Sequence, residues 1–561
     1  NMENISYKKN KDMVFPFLEN ILDVSEPQNY LPIYNKFFEL NDTNRNSINL
    51  NNKWEVTNIH KKISDKIYEC TVTDGKNNKK VNLFFKFAPL LDPIKYLIGK
   101  YDDDDINLLP NNGSTNKKVL DNNNSAYVDG FFSYLNSRLY HEYGFLHAVD
   151  FYGEYLAIKN NFNYDIEDDI DYVLNSTYFN NNKDTLFSIS SDFDKLVKDD
   201  SYKNKPKIKI NKSESKNIDI DHSLNISCFD ISDVTFENLQ KLYDDDHLKE
   251  SNNEKCSSKS SCSSRSSLTD DKEDNDEDKD DKDDDADEDG DDDDDEDGDT
   301  DDEQSNDEDV NMDVCINRFP VNIISLEACQ DTLDSLIEDE DISFSEIISA
   351  LMQVIMILIT YQKAFDFTHN DLHTNNIMYI PTDKQFLYYC YNGTHYKVPT
   401  HNRIFKIIDY GRAIFKYKGH TFCSDSFDFK GDAATQYNCE PYFNEKKPRL
   451  EPNKSFDLCR LACSMYDNLV DDEHDEKLYN PVKIILEKWC TDDKDRNVLY
   501  KKNGEERYPE FKLYKMIARS VNNHTPSKQL DDDIFKRYTV SKKSIKKSVR
   551  VINIDEIPVL I

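Results

Sequence analysis

Glycine is scarce in this chain, 13 of 561 residues, and none stands in the turn between the first two strand-like runs, KKISDKIYEC. A glycine-rich loop wrapping phosphates with its backbone amides is excluded there, and Ser64 and Asp65 take its place. The 12 cysteines, scattered from Cys70 to Cys490, form no Cys-x-x-Cys pair, so neither a zinc ribbon nor a dithiol redox motif is indicated. Cys459 and Cys463, one helical turn apart, fit core packing, and the cysteine usage fits a reducing, intracellular compartment. No signal-peptide pattern is found. The most apolar run, Ile347 to Thr360, is too short to span a bilayer and contains Gln353, so it reads as a buried helix.

Charge of one sign is in excess. Asp and Glu number 109 against 70 Lys and Arg, a formal net charge of -39. The segment Asp270 to Asp309 holds 29 acidic residues and 3 lysines, contributing 3 − 29 = -26, which leaves -39 + 26 = -13 for the rest. The acidity is thus mostly one local tract. Such a surface repels nucleic acid and anionic membranes and favours basic proteins or cations as partners. Ser251 to Ser267, just ahead, is serine-rich, and Ser263, Ser264, Ser266 and Ser267 are placed for modification by an acid-directed kinase. From about 251 the segment lacks the apolar content to offset its ordering entropy and reads as disordered. Within it DADEDGDDDDDE, 285 to 296, matches a calcium-loop expression, but an Asp-rich string gives that match without flanking amphipathic helices. Lys542, Lys543, Lys546, Lys547 and Arg550, near the end of the chain, are candidates to pair with the tract.

Elsewhere the pattern is that of a packed protein. Between Trp54 and Ala88 three runs rich in β-branched and aromatic residues, punctuated by Ser64-Asp65 and Asp74 to Asn78, predict an antiparallel meander. Phe131, Leu135, Leu139 and Tyr143 recur at a spacing of four and predict a helix. GEYLAIK and FPVNIISLEAC read as strands, and SEIISALMQVIMILITYQKAF as a helix. FLYYCY-NG-THYKV reads as a hairpin turning at Asn392-Gly393. The stretch from about 455 to 540 reads as mostly helical.

The chemistry concentrates in HNDLHTNN, 369 to 376. His369, Asp371 and His373 alternate and could face one way on a strand, but no further Cys or His cluster nearby completes a metal shell. Phosphoryl transfer asks for a carboxylate to orient the attacking hydroxyl, a second carboxylate and an amide oxygen for Mg²⁺, and a cation on the phosphates. Asp371, Asn376 five residues on, Asp409 in IIDYG and Lys86 in FFKFAP supply that set.

In these pieces the sequence resembles the protein kinase superfamily. HNDLHTNNIM resembles the catalytic loop, DYG the metal-binding D-F-G motif, FFKF the lysine strand, SLEACQDTLDSL the last N-lobe strand and hinge, and SFDLCRLACSMYDNL the helix carrying a buried aspartate, here Asp457. The resemblance implies an α+β, bilobal fold with a β-rich N-lobe and a mainly helical C-lobe. It would consist of a helical extension over 1–50, N-lobe over 51–160, insertion over 161–314, last N-lobe strand and hinge over 315–329, C-lobe over 330–541 and a tail over 542–561. It implies Asp371 as the hydroxyl-orienting base with His373 beside it, and Asn376 and Asp409 as ligands of Mg²⁺ or Mn²⁺. Lys86 would sit on the ATP phosphates, Leu326 would be gatekeeper, and the backbones of Glu327 and Cys329 would bind adenine. Glu142 is the expected helix partner of Lys86, with Asp129 a weaker alternative, and His369 would be a scaffold histidine.

The departures matter. The phosphate cover has no glycine. His373 replaces a lysine, as in some small-molecule phosphotransferases, and could titrate near neutral pH. Asn370 replaces the arginine through which a phosphorylated activation loop acts. The first reading is a protein kinase acting on Ser/Thr of protein substrates, basic ones among them. A pseudokinase scaffold, favoured by the missing glycines, and a small-molecule phosphotransferase are the alternatives. Composition, insertion and divergent motifs also resemble kinase-like proteins of giant nucleocytoplasmic DNA viruses, which implies host cytoplasm or virion.

Overall fold

The computed structural model describes residues 2, 5–9, 15–101, 108–110, 116–189, 312–470 and 480–561. The acidic tract, the serines ahead of it and the calcium-loop match lie outside the described residues. The described part is mixed α/β with several sheets.

The largest sheet runs, edge to edge, through Val24–Gln28, Phe151–Asp165, Asp313–Glu327, Asn78–Pro89, Ile67–Thr73 and Glu55–Ser64, with Phe187–Ile189 also pairing to Asp313–Glu327. Neighbours are antiparallel throughout. The three early runs form the expected meander. In Ile67–Thr73 the alternation puts Tyr68, Cys70 and Val72 inward. The middle strands read as continuous apolar runs because both faces are covered: residues 151 to 158 and 319 to 326 are all buried.

Two boundaries differ from the sequence expectation. Residues 24–28 form an edge strand of the main sheet, and Tyr7–Lys9 pairs with Ile48–Leu50, so the first 50 residues are not simply a helical extension. The strand starting at Phe151 continues to Asp165 and pairs out to Asp313, followed by short helices and the strand Phe187–Ile189. Residues 161–165, 187–189 and 313–314, within the expected insertion, are therefore strand. Polar residues such as Asn160, Asn161 and Asn163 masked the strand, whose apolar alternation there rests on Phe162 and Tyr164.

The Ser125–Tyr143 helix begins at Asn124, whose side chain accepts from the Ala126 amide, and ends at Gly144 with φ 66°. Its buried face, Phe131, Phe132, Leu135 and Leu139, packs among aromatic rings that include Tyr361, Phe367, Tyr410 and Phe415. The Phe344–Phe365 helix opens with a Ser343/Glu346 capping box. Its 22 residues are long and apolar enough to cross a membrane, yet 83% of its most apolar stretch is buried inside the protein, so it serves as a core helix. Gln353, buried in it, accepts from Phe405 N at 3.0 Å and donates to Arg403 O at 3.3 Å, which satisfies a polar group among apolar neighbours.

The hairpin Phe386–Tyr391/Thr394–Pro399 turns at Asn392 (φ 50°) and Gly393 (φ 72°), both left-handed as a tight turn of this type requires. The chain's last residues pack onto it. Ile552–Asn553 pairs in parallel with Phe386–Tyr391, Asp555 accepts from the Asn392 and Gly393 amides, and Leu560 bonds Lys418 and Ala364 through its backbone.

Candidate active site

The segment 367–376 is an irregular stretch between the core helix and the strand Ile377–Pro381. Such backbone is tolerable in a buried place only when its polar groups find partners. Asp457, fully buried near the start of the Phe456–Val470 helix, supplies two of them: its oxygens accept from the His369 and Asn370 amides, each at 2.9 Å. The His369 ring bonds Ile408 O at 2.9 Å and lies beside Tyr410, tying the loop to the DYG strand. Asn370 takes a left-handed φ of 65°, which Asn tolerates better than most residues. Its side chain donates to Thr368 and to Arg412 O, and accepts from Tyr437 OH at 2.9 Å. The position expected for a phosphate-sensing arginine thus carries a fixed, neutral, buried link.

Asp371 follows on the partly open side of the loop. Its Oδ1 accepts from Tyr514 OH at 2.8 Å, and Arg412 Nη1 lies 3.9 Å away. Tyr514 OH in turn accepts from Arg460 Nε at 2.7 Å. Arg412 is paired with Asp432 at 2.5 Å. Asn376 Nδ2 is 2.9 Å from Asp371 O and 3.1 Å from His373 Nε2, while its own backbone oxygen accepts from Ile408 N, next to Asp409. Asp371, His373, Asn376 and Asp409 are therefore brought together. Burial pushes the His373 imidazole below its ordinary value despite the pull of Asp371, which disfavours a positive charge of the kind a lysine would carry there.

Lys86 lies on the face of Asn78–Pro89 opposite to the buried Leu83 and Phe85, and its Nζ lies between Asp129 Oδ2 at 2.6 Å and Asp409 Oδ1 at 2.9 Å. Asp129 Oδ1 also accepts from Tyr410 N at 3.0 Å, so one carboxylate joins helix, lysine strand and DYG segment. Burial works against the Lys86 charge, but the two carboxylates outweigh it and hold the ammonium above its ordinary value. For Asp409 enclosure raises the carboxyl, yet Lys86 wins and keeps it below the usual carboxylate range. Asp129, more deeply buried, stays above that range in spite of Lys86.

Glu142 is not the partner of Lys86. It lies near the C-terminal end of the helix and pairs with Arg138 one turn back. Asp129 takes the position, because Gly130 lets the helix approach the sheet closely enough for the shorter side chain to reach. A Cβ at 130 would overlap Glu154 Oε1. A glycine inside a helical pattern, next to an aspartate, was the available signal.

Among the residues expected at the last N-lobe strand and hinge, Ile324 stands directly across from Lys86, while Leu326 is two residues further along the same face, across from Phe84. The Glu327 amide donates to Asp150 O at 2.9 Å and is committed within the structure. Its side chain meets the buried Lys406 at 2.7 Å. The Cys329 amide makes no backbone hydrogen bond among the described residues and remains the candidate hinge donor. Tyr514, Arg460 and Arg412 carried no local motif; Tyr514 stands 143 residues from Asp371 in the chain.

Among the described residues no group of three or more His, Cys, Asp and Glu side chains is arranged to hold a metal ion on its own. No family model matches the chain. Over 100 residues the chain is 29% identical to a protein of Invertebrate iridescent virus 3 described as "Probable kinase 098L". That stretch is 18% of this chain and 19% of the viral protein, so the chain spans about a fifth of that relative's length. Over that fifth, the chain is similar to a kinase-like viral sequence.

Proposed function

We propose that the protein is an ATP-dependent kinase of bilobal protein-kinase architecture, transferring the γ-phosphoryl group to Ser or Thr of protein substrates. The observation that carries this reading is Lys86 held between Asp129 and Asp409 beside the Asp371–Asn376 loop. The domain division of the sequence reading, with the sheet boundaries described above, belongs to the same proposal.

The residues suit the chemistry. Lys86 offers a cation to the phosphates. Asp409, with its side chain 46% exposed, and the Asn376 amide oxygen, which accepts no hydrogen bond from the described residues, form a two-oxygen set of the kind Mg²⁺ takes, with phosphate oxygens and water completing six ligands. Bound Mg²⁺ would neutralise charge on the transferring phosphoryl group. Asp371, steadied by Tyr514, would orient the substrate hydroxyl and take its proton. The viral similarity supports the kinase reading and an intracellular, host-cell or virion setting. A pseudokinase role is the second reading, favoured by the glycine-free turn Ser64-Asp65-Lys66.

The test is phosphate transfer from labelled ATP with Mg²⁺ to basic and acidic proteins, wild type against Asp371→Ala. The substitution is expected to cost on the order of 10²–10⁴ in rate. Wild type that neither transfers phosphate nor gains thermal stability with MgATP leaves the pseudokinase reading standing.

A further inference from the structure

Behind the Lys86–Asp129 pair lies a second carboxyl with no part in the scheme above. Glu154, on the strand Phe151–Asp165, is 2% exposed. Its Oε1 accepts from Asn322 Nδ2 at 2.6 Å, and the same Nδ2 donates to Ala126 O at 2.8 Å. Ala126 and Gly130 belong to the first two turns of the helix that carries Asp129. The pair Glu154–Asn322 is thus a shelf under that stretch: Asn322 holds the Ala126 carbonyl, and the Glu154 carboxyl fills the space that only Gly130 leaves open.

The shelf lacks a donor. Glu154 Oε2 and Asn322 Oδ1 are both buried acceptors without a partner. Among the described residues no cation acts on the carboxyl: Lys86 is engaged with Asp129 and Asp409. The titratable groups that face it are Asp129 and Tyr127 from the helix and Tyr34 from the Pro32–Lys36 turn, all of which are neutral or acidic. An ionised carboxylate in such a place is strongly disfavoured, and one proton supplies the missing donor.

We propose that Glu154 is a positioning residue: its protonated carboxyl, with Asn322, seats the start of the Ser125–Tyr143 helix and so sets Asp129 on Lys86. Burial pushes the Glu154 carboxyl up to about 8, with Asp129 adding to the effect and Asn322 opposing it. The sign follows from linkage. A carboxyl raised in the folded state contributes stability that is full below its unfolded range, about 4.3, and is lost as pH rises through the folded value. Above about 8 the ionised Glu154 repels Asp129 and the seat is lost.

The test compares wild type with Glu154→Gln, which keeps shape and supplies a permanent donor. Melting temperature is followed from about pH 4 to above 8, and phosphate-transfer rate from neutral pH to above 8. Relative to Glu154→Gln, wild type is expected to lose melting temperature between about 4.3 and 8, with no further loss from this group above that, and to lose rate as pH passes about 8. Glu154→Gln falling on the same limb as wild type overturns the proposal. The rate measurement rests on the proposed function and the melting temperature does not. If no variant transfers phosphate, the kinase reading fails while the melting curves still decide the proton. Should Glu154→Gln not fold, infrared spectra of the wild type decide. A protonated-carboxyl band that titrates out near pH 8 is expected; no band titrating in that range overturns the proposal.

Discussion

The loop 369–376 and the turn between Glu55–Ser64 and Ile67–Thr73, the proposed cover of the site, are built from opposite materials. At the loop, each polar group is held by a different element: His369 and Asn370 by Asp457, Asp371 by Tyr514, Asn376 by the loop itself and by Ile408. At the cover, Glu55–Ser64 buries only Val56 and Ile59, slips register three times against its neighbour, and turns at Lys66 with φ 56° and no glycine. A left-handed non-glycine residue costs roughly 1–2 kcal/mol. The comparison teaches that the geometry for chemistry is over-determined while the geometry for holding phosphates from above is left loose. On the proposed reading, a protein with this contrast would depend on Lys86 and Asp409, rather than on backbone amides of the turn, to grip a nucleotide.

The sharpest way to break the contrast is from the rigid side. Asp129→Ala leaves Lys86 with Asp409 alone and opens the link to Tyr410. Removing one partner of a buried ion pair costs about 3–5 kcal/mol. A large fall in melting temperature and loss of MgATP binding by calorimetry are expected; unchanged affinity would separate Lys86 from the nucleotide. A smaller effect is expected from Tyr514→Phe, which keeps the ring and removes the hydroxyl between Arg460 and Asp371. A hydrogen bond to a charged group is worth about 1.5–3 kcal/mol, so kcat should fall by about tenfold or more while the KM for ATP stays put. A rise in KM with kcat intact would instead make Tyr514 part of substrate binding.

The loose side is probed by Asp65→Gly. An exposed charge contributes about 1 kcal/mol or less, so the KM for ATP should drop by up to a factor of about 5 with kcat unchanged. No change would place Asp65 pointing away from the phosphates and leave the cover without influence on binding.

Legibility in the sequence followed the same divide. Asp371, Asn376, Asp409 and Lys86 are legible because they stand in motif-like pieces, HNDLHTNN, IIDYG and FFKFAP, and together supply the groups that phosphoryl transfer asks for. The meander and the Asn392-Gly393 hairpin were readable from alternation and turn chemistry. Asp129 was named but ranked below Glu142, because the reach of a side chain depends on how closely a helix packs, and that distance was set by Gly130 against Glu154. Tyr514 and Arg460 were invisible, since only the fold brings them to Asp371. The long strands Phe151–Asp165 and Asp313–Glu327 were only half seen, because their outer ends are stabilised by each other across a long separation in the chain rather than by a strong local pattern.

The most direct measurement is labelling with an acyl-phosphate derivative of ATP, which acylates lysines lying against bound phosphates, followed by peptide mass spectrometry. The account predicts that Lys86 is modified in the presence of Mg²⁺ and that excess ATP blocks the reaction. Labelling that bypasses Lys86, or that ATP does not compete away, would contradict it.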